Sequence, residues 1–273
     1  MDYHSYQINC KPGQHDIIIA MLSDAPFDTF EEKESEVVAY LPVAADGPAV
    51  EGLVEELAQQ FEFTWAKAVH PAQTWTEVWN STFHPLRVGD FSQTRPLFPP
   101  PQPKAVFEII LSPKMAFGTG HHATTYLMIQ MMQGQPFRGR KVLDYGCGTG
   151  VLAILAAKMG AELIDAVDIE APAYDNTIEN AQLNNVHDIR AIKGTLNAVI
   201  DSDYDYILAN INRHVILQSL PALYEMLSPI GRLLVSGILL ADVELVETAA
   251  AEAGLIVDQR LQRDQWAAIQ FSK

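Results

Sequence analysis

Apolar and polar positions along residues 1–72 follow the periods expected for a small domain that mixes strands and helices. Alternation and short apolar runs predict four strands, at Tyr3–Cys10, Phe27–Glu31, Glu36–Val43 and Phe61–His70. Helical spacing predicts two helices between them, at Gln14–Ser23 and Val50–Gln60. The order strand, helix, strand, strand, helix, strand is typical of ferredoxin-like domains, so we expect a small α+β fold of that kind.

Strands and helices alternate along residues 105–273. The strands are predicted at Val106–Leu111, Lys141–Tyr145, Ile164–Ile169, Tyr206–Asn210, Arg232–Ser236, Leu255–Arg260 and Gln265–Phe271. Helices are predicted at His122–Met132, Val151–Met159 and Ala173–Leu183, with further helices between the later strands. This alternation favours an α/β fold, in which a mostly parallel sheet is covered by helices on both faces.

Residues 73–104 are predicted to connect the two domains. Trp75, Trp79 and Phe83 recur at four-residue spacing, which favours a short amphipathic helix. Arg95–Pro103 then holds five prolines among nine residues. Because proline fixes φ and lacks a backbone donor, we expect this stretch to be an extended and stiff connector. The predicted domains are therefore 1–72 and 105–273.

Charge narrows the class of protein. The 273 residues include 34 acidic and 18 basic side chains, a net charge of −16, and residues 1–95 hold 15 of the acidic and 5 of the basic ones. Such a surface repels phosphate backbones, so we expect no direct binding to nucleic acid. The acidic excess of the first third either favours solubility or docks a basic partner, and charge alone favours the first interpretation.

The sequence shows no signal for secretion or membrane insertion. No uncharged apolar stretch approaches the ~20 residues that span a bilayer, and no basic cluster leads into an apolar run at the start. The two cysteines, Cys10 and Cys147, allow at most one disulfide bond, which is unlike a disulfide-stabilised secreted scaffold. We therefore expect a cytoplasmic protein with no membrane partner.

The strongest chemical signal is a glycine-rich turn after the predicted strand Lys141–Tyr145. Gly146, Gly148 and Gly150 alternate directly before a helix, so the backbone can approach a ligand closely and helical N–H groups can face it. Asp168 follows Gly146 by 22 residues, at the end of the next predicted strand. Its two carboxylate oxygens can accept both hydroxyls of a ribose. The alternative role for Asp168 is to cap the following helix.

Two further signals lie at the ends of predicted elements. Met115–Thr125 is a glycine-containing loop that opens a helix. Its adjacent His121 and His122 lack the further ligands that a metal site needs, so we predict no metal. Asn210 ends a strand of the parallel run, at the sheet edge where ligands of α/β folds bind. A turn-forming role for Asn210 is the alternative interpretation.

These motifs resemble a known family. The D-x-G-C-G-x-G run from Asp144 to Gly150 resembles the first motif of class I S-adenosylmethionine-dependent methyltransferases. Its spacing differs from the G-x-G-x-x-G of nicotinamide-dependent oxidoreductases, which speaks against that class. The loop Ala116–Thr125 is similar to the F-G-T-G-x-H-x-T-T of the PrmA family, and Ala209–Ile211 is similar to its A-N-I. The residues from Trp75 to Gly89 are similar to that family's linker.

The resemblance implies a Rossmann-like class I methyltransferase domain with a mostly parallel seven-stranded sheet, preceded by the ferredoxin-like domain. It also implies that S-adenosylmethionine is the cofactor. The implied cofactor-binding residues are Thr125, Gly146, Asp168 and Asn210, to which the two glycine loops add Asp144, Gly148 and Phe117. Asn210 and Ile211 are the implied catalytic residues, because the Asn210 Oδ1 and the Ile211 carbonyl oxygen would accept N–H bonds from a substrate amine.

The PrmA family methylates ribosomal protein L11, so the resemblance implies a basic protein of the large ribosomal subunit as the substrate. It implies methylation of lysine side chains, of the N-terminal amine, or of both, by a monomer whose ferredoxin-like domain recognises that substrate. Ser112–Met115 and Asn212–His214 depart from the family's usual sequences and leave the substrate and the number of methyl groups open. The alternatives are a methyltransferase for another protein or a small molecule, and a non-catalytic cofactor-binding module.

Overall fold

The computed structural model describes residues 3–22, 25–27, 29–33, 35–70, 86–96, 105–112 and 123–273. The chain divides into two compact units, Met1–Thr82 and Phe83–Lys273. The helix predicted around Trp75–Phe83, the site residue Phe117 and the pair His121 and His122 lie outside the described residues.

The first unit has the predicted ferredoxin-like topology. Its elements are β1 (Tyr3–Asn9), α1 (His15–Leu22), β2 (Thr29–Lys33), β3 (Glu36–Pro42), α2 (Pro48–Phe61) and β4 (Thr64–His70). The strands form a sheet in the order β2-β3-β1-β4, in which every neighbouring pair is antiparallel. Buried side chains of β1 and β3, such as Ile8 and Leu41, pack with Val54 and Leu57 of α2 in one apolar core. The second strand begins two residues later than the predicted Phe27.

The second unit begins with a small three-stranded sheet of β5 (Arg87–Val88), β6 (Ser92–Pro96) and β7 (Phe107–Leu111). Strands β5 and β6 lie within residues 73–104, where the pattern predicted a helix and a connector. Strand β6 buries the polar residues Ser92, Gln93 and Thr94, so it lacks the apolar alternation that marks a strand in sequence. Strand β7 is at the predicted position, but it pairs with β6 and not with the main sheet.

The main sheet holds seven strands in the order β10-β9-β8-β11-β12-β14-β13, as the family resemblance implies. After β7 the elements are α3 (Ala123–Met132), β8 (Lys141–Tyr145), α4 (Val151–Lys158), β9 (Leu163–Asp168), α5 (Ala171–Leu183), β10 (Ile189–Lys193), β11 (Tyr204–Asn210), α6 (Arg213–Met226), β12 (Leu227–Leu239), α7 (Val243–Glu252), β13 (Ile256–Arg263) and β14 (Trp266–Ser272). Strand β10, which no sequence pattern singled out, supplies the seventh strand in place of β7.

The direction of the strands determines where a ligand can bind. The five strands from β10 to β12 are parallel, and β14 and β13 are antiparallel to their neighbours. The central residues of β9, β8, β11 and β12 are buried, as expected for the middle of a sheet covered on both faces. The carboxyl ends of β8, β9 and β11 therefore meet at one edge, beside the reversal of strand order at β8.

None of the helices in the described residues combines the length and the apolar character that spanning a membrane requires.

Candidate functional site

The loop between β8 and α4 has a conformation that requires glycine. Gly146, Gly148 and Gly150 have φ values of +74°, +54° and +77°, a region that other residues seldom adopt. A Cβ atom on Gly146 would lie 2.2 Å from Cγ2 of Ile211, and one on Gly150 would lie 3.0 Å from Cγ2 of Thr177. The backbone conformation therefore requires glycine at all three positions that the sequence analysis singled out. Close packing adds a second requirement at Gly146 and Gly150.

Asp144 lies beneath this loop and caps the helix that follows it. Its side chain is 1% exposed, and its Oδ2 accepts a hydrogen bond from the backbone N–H of Ala153 at 3.0 Å. One of the helical N–H groups that we expected to face a ligand is therefore bonded to the protein. Burial, together with the charge of Asp168, raises the pKa of Asp144 to about 7. A direct role of Asp144 toward a cofactor stays a prediction.

We expect Asp144→Asn to be more stable than the wild type at pH 8 and to lose this advantage as the pH falls. The pKa of Asp144 is raised from 3.8 to about 7, so between these values the folded chain holds a proton that the unfolded chain releases. The stability from this proton is complete below about pH 4 and is lost as the pH rises through 7, by at most about 1.4 kcal/mol per pH unit. Asparagine does not titrate, so the stability of Asp144→Asn lacks this dependence on pH.

Thermal unfolding of both proteins from pH 5 to pH 8 measures this difference. Taking the difference between the two proteins removes the contributions of the other carboxylates. A stability difference that stayed constant across the range would contradict the raised pKa of Asp144.

Asp168 joins the end of β9 to the glycine loop. Its Oδ2 accepts the backbone N–H of Gly148 at 3.0 Å, and its Oδ1 accepts the backbone N–H of Glu170 at 3.0 Å. The second bond lies at the start of α5, so the alternative role of Asp168 at this helix is partly present. Each carboxylate oxygen keeps a further acceptor position. The half-buried carboxylate is therefore held rigidly at the sheet edge and can still accept bonds from a ligand.

Asn210 and Thr125, two predicted site residues 85 positions apart, are in contact. The Asn210 Nδ2 donates to the Thr125 Oγ1 at 3.3 Å. Thr125 is 1% exposed on α3, whereas Asn210 is half-buried at the end of β11. The bond fixes the plane of the amide, and the Asn210 Oδ1 has no hydrogen-bond partner in the described part of the chain. An acceptor of fixed direction therefore lies at the carboxyl edge of the sheet.

Ile211 follows Asn210 and packs against two glycines of neighbouring elements. Its side chain covers Gly146, and its carbonyl oxygen lies where a Cβ atom of Gly237 would come within 2.1 Å. Gly237 has a φ of +84°, and the ladder between β12 and β14 shifts register between Val235 and Ile238. Sequence reasoning missed Gly237, although a glycine inside a strand signals such a close approach.

Thr177 on α5 holds the loop from its other side. Its Oγ1 donates to the carbonyl oxygen of Gly148 at 3.0 Å and lies 3.3 Å from the Cys147 Sγ. Burial raises the pKa of the Cys147 thiol well above its ordinary value, so the group stays protonated and unreactive. Thr177 was not predicted, and Cys147 serves as a small buried residue of the turn.

The structure gathers most of the predicted site residues at one place. Asp144 lies in β8, and Gly146 and Gly148 follow that strand. Asp168 ends β9, Asn210 ends β11, and Ile211 comes directly after it. Thr125 approaches them from α3 through Asn210. The arrangement offers a glycine-lined cradle, a carboxylate beside it and an amide oxygen across from it, which suits a nucleoside-containing cofactor and a hydrogen-bond donor as co-substrate.

Nearly the whole chain is similar to known proteins of one family. Residues 14–273 match the family model described as ribosomal protein L11 methyltransferase (PrmA). A ribosomal protein L11 methyltransferase of Porphyromonas gingivalis is 37% identical over 98% of this chain and 96% of its own length. One of Bacteroides fragilis is 34% identical over 96% and 95%. The crystal structure of the ribosomal protein L11 methylase of Lactobacillus delbrueckii subsp. bulgaricus is 32% identical, with a TM-score of 0.64 over 70% of this chain and 99% of that one.

Proposed function

This chain belongs to the ribosomal protein L11 methyltransferase (PrmA) family, and we propose that it transfers methyl groups from S-adenosylmethionine to amino groups of ribosomal protein L11. The observation that supports this most is the convergence of the glycine loop, Asp168 and Asn210 at one sheet edge. The glycine loop and Asp168 suit a nucleoside cofactor, and the amide oxygen of Asn210 suits a substrate amine.

The residues present fit S-adenosylmethionine. Asp168 would accept the ribose hydroxyls through its remaining acceptor positions. The backbone at Gly146 and Gly148 would line the cofactor closely, because no Cβ atom intervenes, and Thr125 and Asn210 would border it on the α3 side. When bound, the cofactor supplies a methyl group activated by a sulfonium centre.

Asn210 and Ile211 would present the substrate amine. The Asn210 Oδ1 and the Ile211 carbonyl oxygen accept N–H bonds and direct the nitrogen lone pair along one line. Holding the nucleophile in this geometry supplies much of the rate enhancement, because the transfer needs little acid–base chemistry. Exclusion of water lowers the pKa of the amine and favours its neutral, nucleophilic form. Lysine side chains and the N-terminal amine both meet this requirement, so we propose both as targets.

The first unit is the proposed recognition domain for L11. Its helix α2 and the residue directly after the helix expose four carboxylates, Glu51, Glu55, Glu56 and Glu62. Glu51 pairs with Lys67 and Glu55 accepts a bond from Trp65, whereas Glu56 and Glu62 have no side-chain partner among the described residues. An acidic helix face attracts a basic protein and accelerates its encounter. We propose that the enzyme acts in this way as a monomer in the cytoplasm.

Transfer of label from S-adenosylmethionine to purified L11 tests the proposed activity. We expect labelled L11, with the added methyl groups located by mass spectrometry on lysine or N-terminal nitrogen. L11 whose amines have been blocked by acetylation is the matched control and should accept no label, because an amide nitrogen is not nucleophilic. Absence of label from unblocked L11, in a protein that binds the cofactor, would favour another substrate or a non-catalytic binding module.

Asp168→Ala should weaken binding of S-adenosylmethionine by about 1.5–3 kcal/mol, because charge-assisted bonds to the ribose are lost. The bond to the Gly148 N–H is lost as well, so the loop is held less firmly. Titration calorimetry measures the change, and Asp188→Ala, at an exposed carboxylate next to β10, is the control. Unchanged affinity in Asp168→Ala would remove Asp168 from the cofactor site.

A further inference from the structure

Helix α5 carries a row of buried amides. Asn176 and Asn180 lie on α5, and Asn184 is the residue that caps its end, so their four-residue spacing places the three amides on one side of the helix. Asn176 and Asn180 are completely buried, and Asn184 is 7% exposed. Buried amides are retained where they make hydrogen bonds, so their partners indicate what they do.

Two of these amides bind the backbone of β7. The Asn184 Oδ1 accepts the N–H of Ile110 at 2.9 Å, and its Nδ2 donates to the Ile110 carbonyl oxygen at 2.7 Å. The Asn180 Oδ1 accepts the N–H of Ser112 at 2.8 Å. Together the side chains take the place of a neighbouring strand along this edge of β7.

Asn180 makes a further contact that Asn184 does not make. Its Nδ2 donates to the carbonyl oxygen of Thr149 at 2.9 Å, between Gly148 and Gly150 of the cofactor loop. One buried side chain thus joins the loop to Ser112, 68 residues away from Asn180 in sequence. Since the loop contains three glycines, its backbone has unusual freedom in the absence of such restraints.

Ser112 directly follows β7 and lies three residues before the second motif, Met115–Thr125. The chain continues from it into 113–122, which holds the F-G-T-G-H-H sequence, and then into α3 with Thr125. Thr125 in turn binds Asn210. Asn180 therefore contacts the backbone inside the first sequence motif and three residues before the second.

We propose that Asn180 is a positioning residue that holds the cofactor loop and the end of β7 in a fixed relation, so that the loop is in place before the cofactor binds. This inference rests on the proposed function for the identity of the cofactor. Asn180 is completely buried and acts through the backbone of Thr149 and Ser112. Preorganisation of this kind raises the affinity for the cofactor, because binding then does not have to order the loop.

Asn184 supplies the matched control. Asn180→Ala and Asn184→Ala each remove one buried amide and its hydrogen bonds to the end of β7 or to the residue after it. Only Asn180→Ala also removes a hydrogen bond to the cofactor loop. We expect both variants to lower the melting temperature. We expect Asn180→Ala alone to raise the dissociation constant of S-adenosylmethionine, by tenfold or more, as measured by calorimetry below the melting transition.

Asn180→Asp gives a second measurement in case the alanine variant fails to fold. The introduced carboxylate can still accept the Ser112 N–H, but when ionised it offers no donor to the Thr149 carbonyl oxygen. Burial raises the pKa of such a carboxyl, and its protonated form regains an O–H donor. We therefore expect the affinity of Asn180→Asp, relative to the wild type at the same pH, to recover as the pH falls from 8 to 5.5.

Two results would overturn the positioning role. One is an equal change in cofactor affinity for Asn180→Ala and Asn184→Ala, and the other is an affinity of Asn180→Asp that follows the wild type at every pH. The readout is cofactor binding, which does not depend on the methyl acceptor. A failure to methylate L11 counts against the proposed function alone, whereas these two results count against Asn180.

Discussion

Asn210→Ala is expected to lower kcat for methylation of L11 by about 100-fold, with a much smaller effect on the affinity for S-adenosylmethionine. The amide of Asn210 is oriented by its bond to Thr125, so its oxygen has a fixed direction at the sheet edge. Alanine removes the acceptor that would direct the amine, and misplacement of a reacting group by ~1 Å costs rates of this order. An interaction made only in the transition state is lost from kcat.

Single-turnover methylation of L11 and titration calorimetry with the cofactor separate these effects. Asn212→Ala is the control, because Asn212 lies two residues further on and its Oδ1 caps α6 by accepting the Val215 N–H at 3.0 Å. Loss of this cap should cost about 1 kcal/mol of stability and leave kcat unchanged. Normal turnover in Asn210→Ala would show that Asn210 only forms a turn, the alternative that the sequence left open.

The parts of the site that are local in sequence could be predicted. Strand β8 has the predicted bounds Lys141–Tyr145, and the positive φ values of Gly146, Gly148 and Gly150 lie where the motif demands them. The sequence patterns of a strand, a glycine turn and the start of a helix each occupy a few consecutive residues. They can therefore be recognised without knowledge of distant contacts. Asp168 could be placed because the strand that carries it follows at a regular distance.

The parts that depend on distant partners could not be predicted. Gly237 is needed because the Ile211 carbonyl oxygen lies against it, and Asn180 matters because it reaches Thr149 and Ser112. The four-residue spacing of the asparagines and the glycine inside β12 are visible in the sequence, but neither shows which distant backbone the residue contacts. Strand β10 was overlooked because it lies at the edge of the main sheet and alternates only weakly between half-buried and exposed positions.

The three-stranded sheet determines which fragment can test the separate roles of the two units. A fragment beginning near Arg95 would remove β5 and most of β6, and would leave β7 without its partner strand. The second compact unit begins at Phe83. A fragment of Phe83–Lys273 keeps the three-stranded sheet, the Asn180 contacts and all the described site residues of the main sheet edge.

This fragment should bind S-adenosylmethionine with an affinity within about threefold of the full chain but lose at least about tenfold in kcat/KM for L11. The exposed carboxylates of α2 are absent from it, so the basic substrate is no longer attracted to the enzyme. Added salt screens the same attraction, and the difference between fragment and full chain should therefore shrink as ionic strength rises.

Glu56→Gln with Glu62→Gln in the full chain tests the charge without removing the domain. Both side chains are exposed, and no ion pair of either is present in the described structure, so the fold should be unaffected. We expect KM for L11 to rise and its salt dependence to weaken, with kcat and cofactor affinity unchanged. If the fragment methylated L11 as fast as the full chain at low salt, the first unit would not be the recognition domain. If the charge variant methylated L11 like the wild type while the fragment did not, recognition would depend on other surfaces of the first unit. The fragment lacks all surfaces of that unit, whereas the charge variant changes only two side chains.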